Sequence, residues 1–125
     1  MAKKIATTDK IVDKEVATRV LKPVSYRENV FYFFIGVGNF TGTHASSLAD
    51  FHDKLKTINI ESVNYHYSRQ DFAKWIKETL CDAELSRQIN GIEGLKGEEL
   101  RREILQTVER RLTELKNATT APDKK

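Results

Sequence analysis

The chain alternates apolar and polar residues with a helical period over most of its length. Apolar positions repeat every three or four residues in four stretches, which are residues 46–58, 69–80, 82–92 and 98–116. This spacing places the apolar side chains on one face of a helix. The pattern therefore predicts a mainly α-helical protein.

Polar residues at the starts of these stretches indicate where the helices begin. Ser47 and Asp82 can cap two of the helices, and Gly97 precedes the last one. Ser68 and Asp71 stand three residues apart in a capping-box arrangement. This pair predicts that the second of these helices begins at the residue after Ser68, which is the first of residues 69–80.

Three other stretches have weaker patterns. Residues 9–21 form a helical face rich in β-branched residues, and Pro23 ends it. Residues 27–35 contain the apolar run VFYFFI, which suits either a buried strand or a buried helix. We expect a helix there, because no second strand is evident to pair with it. Residues 59–67 fit either period.

These elements predict a compact single-domain bundle of five or six helices, with room for a short extended segment near residues 30–35. The chain has 125 residues, which is enough for one domain with its own core. We expect a basic N-terminal arm over residues 1–22 that is partly helical or mobile. A helical domain over residues 23–116 and a disordered polar tail over residues 117–125 complete the predicted organisation.

Membrane and secretory signals are missing from the sequence. The longest apolar run, residues 30–35, is far shorter than the roughly 18 residues of a membrane span. The N-terminal stretch MAKKIATTDK lacks the apolar core of a secretory signal. Cys81 is the single cysteine, so an internal disulfide is excluded. We expect a cytoplasmic protein that makes no membrane contact.

The excess positive charge lies in the N-terminal part of the chain. The net charge is +3, and residues 1–30 carry seven Lys or Arg against four Asp or Glu. The remaining residues carry both signs in equal number, whereas a dedicated nucleic-acid-binding domain usually has a basic face. A contact with nucleic acid or the ribosome would therefore use the basic residues of the arm, which are Lys3, Lys4, Lys10, Lys14, Arg19 and Lys22.

Polar side chains cluster near the only tryptophan. Arg69 offers two parallel donors to a carboxylate or phosphate, His66 can titrate, and Asp71 lies close by. The stretch GVGNFTG could add backbone N–H groups to such an anion site. Its glycines are Gly36, Gly38 and Gly42. We favour a structural interpretation, in which Asp71 caps a helix, Arg69 pairs with a carboxylate and the glycines form a turn.

Motifs for catalysis and metal binding are absent from the sequence. It contains no GxSxG, no HExxH and no Cys–His pair at useful spacing. His44 and His52 are eight residues apart, whereas zinc ligands on one helix are usually three or four apart. We therefore expect no catalytic residue, no metal at His44, His52 or His66, and no cofactor, and we favour a protein that is not an enzyme.

Three segments carry a resemblance to a known family: FYFFIGVGNFTG, SSLADFHDKL and ESVNYHYSRQDFAKWIKETLCDAELSRQI. They resemble a small prokaryotic domain of unknown function, which we associate with archaea, both alone and attached to larger, often carbohydrate-related proteins. The resemblance covers about residues 31–112 and implies a compact helical domain without an assigned activity. The matching positions are Gly36, Gly38, Thr41, Gly42, Ser47, Leu48, Phe51, Ser62, His66, Arg69, Asp71, Phe72, Trp75 and Ile76.

The last predicted helix raises the question of self-association. Leu105, Val108, Leu112 and Leu115 fit two coiled-coil heptads, which is too short a run to establish a coiled coil. We favour packing of this helix within its own domain. A monomer and a homodimer through this helix both stay open.

Three hypotheses of function follow. The leading one is a non-catalytic helical interaction module, an adaptor or regulatory subunit whose partner is another protein, because the body is balanced in charge and lacks a catalytic motif. The second is a nucleic-acid- or ribosome-associated factor that uses the N-terminal arm. The third is a small anion sensor or enzyme centred on His66, Arg69 and Asp71.

Overall fold

The computed structural model describes residues 12–120, which form six helices and one two-stranded antiparallel sheet. The helices are α1 (Lys14–Leu21), α2 (Leu48–Leu55), α3 (Ile60–Ser68), α4 (Asp71–Glu78), α5 (Ala83–Asn90) and α6 (Gly97–Thr120). The strands are β1 (Phe31–Gly36) and β2 (Asn39–Ala45), and a 3₁₀ turn at Arg27–Asn29 precedes them. The prediction of a mainly α-helical protein with a short extended segment is confirmed, whereas the prediction of a compact bundle is not. Within residues 12–120, no helix is both long enough and apolar enough to cross a membrane.

The prediction of a helix over residues 27–35 is wrong, because this part of the chain leads into the first strand of a β-hairpin. Phe31 of β1 lies opposite Ala45 of β2, and Phe34 lies opposite Phe40, with an irregular register between these pairs. The second strand, NFTGTHA, contains a single large apolar residue and a glycine. It therefore gives little strand signal in the sequence, although it supplies the partner that VFYFFI needs.

An aromatic cluster holds the hairpin against the helices. Phe31 and Phe33 are buried on the inner face of β1, whereas Tyr32 between them faces outward. The ring centroids of Phe31 and Phe33 lie 4.9 Å apart, and those of Phe51 in α2 and Phe72 in α4 lie 5.2 Å apart. Burying each such ring contributes on the order of 1.5–3 kcal/mol. The cluster thereby positions the outer face of the hairpin, which is the side of β1 on which Tyr32 lies.

The last helix packs against its own chain. Val108, Leu112 and Leu115 of α6 are buried in the core, and Leu105 is partly buried against it. Helix α1 contacts α6, and its Val20 is fully buried. The heptad positions considered for self-association are therefore covered within the chain, and the second half of the predicted N-terminal arm belongs to the folded structure.

Two predicted N-caps are present in the structure. The hydroxyl of Ser47 accepts a hydrogen bond from the N–H of Asp50 at 3.0 Å, and the carboxylate of Asp82 accepts one from the N–H of Leu85 at 3.1 Å. Arg111 of α6 also donates to both oxygens of Asp82, at 2.8 and 2.9 Å. This buried ion pair joins α6 to the start of α5.

The prediction that Ser68 and Asp71 form a capping box at the start of residues 69–80 is wrong. Ser68 ends α3, and its hydroxyl donates to the carbonyl of Tyr65 at 3.0 Å instead of capping the next helix. Gln70 follows with a left-handed φ of 66°, which turns the chain between α3 and α4. The helix therefore begins at Asp71, two residues later than predicted, and its carboxylate is left for other contacts.

The predicted C-terminal tail begins too early. Residues 117–120 continue α6, because Asn117, Ala118 and two threonines extend its backbone hydrogen bonding to Thr120. The rest of the predicted tail, residues 121–125, lies outside the described residues, as does most of the predicted arm, residues 1–11.

Candidate functional site

A groove of about 550 Å³ lies between the hairpin and helices α3 and α4. This volume is within the range of pockets that hold a small ligand or a few side chains. The indole of Trp75 forms part of its wall and donates a hydrogen bond to the carbonyl of Asn29 at 2.8 Å. The lining residues that matter most for its chemistry are Phe34, Val37, Arg69, Lys74, Trp75 and Glu78.

Both ring nitrogens of His66 are engaged at the edge of the groove. The backbone N–H of Phe34 donates to Nε2 at 2.8 Å, so Nε2 is the unprotonated nitrogen. Nδ1 therefore carries the proton, and it donates to Oδ2 of Asp71 at 2.8 Å. His66 thus connects β1 to the first residue of α4, and it is itself buried.

The electrostatic surroundings of His66 favour this neutral form. Burial lowers the pKa of His66 below its ordinary value of 6.5, while the hydrogen bond to Asp71 opposes this effect and the charge of Arg69 adds to it. Protonation would also place a hydrogen on Nε2 and break the bond from Phe34. The imidazole therefore has a structural role, because it connects β1 to α4 through two hydrogen bonds. The sequence instead suggested a titrating donor or acceptor for a ligand.

Arg69 is the member of the cluster that faces outward. Its Nε donates to Oδ2 of Asp71 at 2.9 Å, and its Cζ lies 5.1 Å from the centre of the Tyr65 ring. The hydrogen bond to Asp71 raises the pKa of Arg69. The side chain is 53% exposed, and its two Nη groups donate to no residue between 12 and 120. An oriented guanidinium with free donors can bind a carboxylate or phosphate.

The structure brings together His66, Arg69 and Asp71, and of the three glycines only Gly38 lies at the same groove. Gly38 lines the groove, whereas Gly36 ends β1 and Gly42 lies within β2. The stretch GVGNFTG is the hairpin itself, so it does not lead into a helix as an anion-binding loop would. Gly38 and Gly42 have φ of +77° and +90°, and an added Cβ would meet nothing within 4 Å at either. These glycines serve the backbone conformation.

The basic residues of the arm either do not line this groove or lie outside the described residues. Lys3, Lys4 and Lys10 lie outside residues 12–120. Lys14 and Arg19 belong to α1, Lys22 follows it, and none of these three lines the groove.

The outer face of the hairpin is the feature that sequence reasoning missed. Val37 is 87% exposed, Phe40 49% and Tyr32 37%. The rings of Tyr32 and Phe40 pack edge to face with their centroids 5.8 Å apart, and Phe40 also lies 5.3 Å from Phe34. Tyr32, Phe34 and Val37 line the groove as well, so face and groove are continuous. FYFFIG is apolar nearly throughout, so the sequence gives no alternation from which this face could have been predicted.

Other reactive groups lie apart from the groove. Cys81 is exposed, follows α4 and does not line it. Across the described part of the chain, no three His, Cys, Asp or Glu side chains come together as a metal site. The arrangement is therefore one of an apolar groove with an oriented cation at its edge.

Comparison with known proteins identifies the family. No curated protein and no solved structure matches the chain. Residues 28–125 match the model of DUF5752, a family of unknown function, and this match begins just before β1 and includes the hairpin, the groove and α6. The chain therefore belongs to the DUF5752 family.

Proposed function

We propose that this protein is a non-catalytic interaction module that binds another protein through the outer face of its hairpin and the adjoining groove. One observation carries the proposal. Of the four exposed large hydrophobic side chains in residues 12–120, three stand together on the hairpin, namely Tyr32, Val37 and Phe40. Apolar side chains that gather on one exposed face are typical of an interaction site.

The aromatic character of this face also supports a protein partner. Tyr and Phe are enriched in the cores of protein interfaces, because each buries a large area with few rotatable bonds. Tyr32 is already restrained, since its hydroxyl donates to the carbonyl of Arg27 at 2.9 Å. A restrained aromatic side chain loses less conformational freedom when a partner covers it.

The chemistry of the polar cluster favours binding over catalysis. Both nitrogens of His66 are occupied by Phe34 and Asp71, which leaves no lone pair to accept a proton from a substrate. The available donors of Arg69 suit recognition of a charge. The anion-binding part of the third hypothesis is thereby included in this proposal. Arg69 would bind an anionic group of the partner protein as one part of the protein-binding surface.

The surroundings of the module are part of the same proposal. We place the protein in the cytoplasm, because its one cysteine, Cys81, is exposed as a free thiol, and such thiols persist in a reducing compartment. We also infer that it comes from an archaeon, on the strength of the sequence resemblance. The burial of Val108, Leu112 and Leu115 supports a monomer over a homodimer through α6.

Affinity capture tests the proposed function. The tagged full-length chain is incubated with native lysate, and the captured proteins are identified with and without nuclease. We expect a protein partner that is retained after nuclease treatment and lost with the double variant Val37→Ser, Phe40→Ser. A partner lost only after nuclease would instead support the nucleic-acid hypothesis.

A matched variant separates loss of the face from loss of any exposed aromatic residue. Tyr26 is 65% exposed and does not line the groove. Tyr26→Ser should retain the partner. Equal capture by the hairpin double variant and the wild type, with both shown to be folded by circular dichroism, would contradict the proposal.

A further inference from the structure

We propose that the groove binds an extended segment of the partner protein that carries an acidic side chain and a basic side chain on either side of an apolar one. This inference rests on the proposed function and names the chemistry of its partner. It follows from the order of charges along α4, which the groove follows from Asp71 to Glu78.

The end of the groove near the start of α4 is suited to a carboxylate. Arg69 is held there by Asp71 and the Tyr65 ring, and its two Nη groups remain available. Lys74 lies one turn along α4, is exposed and forms no ion pair with any described residue. The charge of Asp71 is already balanced by Arg69, so Lys74 leaves this end with a net attraction for an acidic side chain.

The other end of the groove is suited to a cation. Glu78 is the last residue of α4, lines the groove and is exposed. It too forms no ion pair within residues 12–120. Asp71 and Glu78 are separated by seven residues of helix, which corresponds to a rise of about 10 Å. A basic side chain of the partner can therefore pair with Glu78 while an acidic one pairs with Arg69.

The spacing of the two ends matches an extended peptide. A strand rises about 3.3 Å per residue and its successive side chains point to opposite faces, so two side chains on one face lie about 7 Å apart at two positions and about 13 Å apart at four. The four-position spacing leaves one side chain of the same face between the two charges, and the flexible charged side chains accommodate the difference from the rise of about 10 Å along α4. Trp75 lies on α4 between Asp71 and Glu78, and Phe34 and Val37 line the same groove. An apolar residue between the two charges of the partner would pack there, because both the groove and the hairpin face beside it are apolar.

The acidic end disfavours a nucleic acid at this position. A polyphosphate backbone would bring negative charge to Glu78 as well as to Arg69 and Lys74. A free carboxylate or phosphate would satisfy Arg69 but leave the apolar wall and Glu78 without a partner. A peptide with charges of both signs complements the whole length of the groove.

Selection from a peptide library tests this inference. A phage-displayed library of random peptides, each about nine residues long, is selected on the full-length chain. Enriched peptides should carry Asp or Glu four positions from Lys or Arg, in either order, with an apolar residue midway between them. Failure to enrich peptides, or enrichment of peptides without both charges, would overturn the inference.

Charge reversal tests whether the contacts are direct. Binding of a labelled enriched peptide is measured by fluorescence polarisation. Arg69→Gln and Glu78→Gln should each weaken it about tenfold, the effect of losing a charge-assisted hydrogen bond. Glu78→Lys should prefer a peptide in which the basic residue is replaced by Glu, and lack of this rescue would also overturn the inference.

Arg110→Gln provides the control, because Arg110 is exposed on α6 and does not line the groove. It should leave the peptide affinity unchanged. If the peptide tests fail while Val37→Ser, Phe40→Ser still abolishes capture from lysate, the proposed function stands and only the partner chemistry is wrong. Loss of peptide binding through concentration-dependent self-association would identify a second copy as the occupant and overturn the inference.

Discussion

The backbone N–H of Phe34 donates to Nε2 of His66 at 2.8 Å, so a side chain of α3, and not another strand, satisfies this donor of β1. The same imidazole donates from Nδ1 to Asp71 at the start of α4. One residue therefore connects three elements around the groove. Its loss should affect both the stability of the chain and the position of the hairpin.

His66→Ala should lower the free energy of unfolding by about 2–4 kcal/mol. The substitution removes two hydrogen bonds and leaves the N–H of Phe34 without its acceptor, and an orphaned donor of this kind costs about 1–3 kcal/mol. Urea denaturation followed by circular dichroism measures the loss. His44→Ala is the control, because His44 is exposed on β2 and its removal should cost less than about 0.5 kcal/mol. Equal effects of the two substitutions would contradict the structural role of His66 in connecting β1 to α4.

The free energy of unfolding should decrease as the pH falls below 6.5. Burial lowers the pKa of His66 and of His52 from this ordinary value, so the unfolded chain takes up these protons before the folded chain does. Stability falls where the unfolded state binds more protons, by at most about 1.4 kcal/mol per pH unit for each histidine. The contribution of these two neutral histidines to the free energy of unfolding is therefore fully present above pH 6.5. It is lost as the pH decreases toward their folded-state pKa values.

Urea denaturation at about pH 7.5 and about pH 5.5 measures this dependence. His66→Gln should reduce the difference between the two pH values, because glutamine keeps a donor and an acceptor but does not titrate. His52→Gln should reduce it separately, and the double variant should show the smallest difference. A double variant with the full wild-type dependence would show that other groups are responsible.

Trp75→Ala should cost about 3–5 kcal/mol, the range for a buried aromatic residue. Trp75 is only 8% exposed, and its indole N–H is bonded to the carbonyl of Asn29. Trp75→Phe keeps the ring volume in part but loses this bond, so it should cost less than the alanine variant. Thermal unfolding followed by circular dichroism compares the two. A cost below about 1 kcal/mol for Trp75→Ala would show that the residue is exposed in solution.

Arg111→Ala should destabilise the chain by about 3–5 kcal/mol. The substitution leaves the carboxylate of Asp82 buried without its charged partner, which is the costly way to break an internal ion pair. Arg110→Ala, one residue earlier and exposed, should change the stability by less than about 0.5 kcal/mol. Urea denaturation of both variants provides the measurement, and similar values for the two would refute the structural role of the pair.

Gly38→Ala and Gly42→Ala should each cost about 1–2 kcal/mol, because both glycines have a left-handed φ that a Cβ disfavours. Gly36→Ala is the matched control. Its φ is not left-handed, and its added Cβ would make only an ordinary contact, 3.6 Å from the side-chain amide of Asn39. Thermal unfolding of the three variants tests whether the glycines serve the hairpin, and three equal losses would exclude this explanation.

Local patterns determined the helices well. The periodicity of apolar residues located α2, α5 and α6, and the short side chains of Ser47 and Asp82 marked the starts of two of them. These features depend on contacts within a few residues of the chain, so they can be read without knowledge of the fold. The same locality explains why His66, Arg69 and Asp71 could be named together, since they are neighbours in sequence.

The hairpin and the roles within the polar cluster depend on contacts between residues that are far apart in the sequence. VFYFFI suits a helix or a strand, and its choice depends on the pairing with β2 and on burial against Phe51 and Phe72, which are distant in sequence. That a histidine, an arginine and an aspartate lie close together follows from their order in the chain alone. The hydrogen bond from the backbone N–H of Phe34, 32 positions before His66, holds the histidine inward in a structural role. The left-handed turn at Gln70 leaves Arg69 facing outward with its Nη donors free. Residue types limit which interactions are available, but burial and long-range hydrogen bonds decide which of them form.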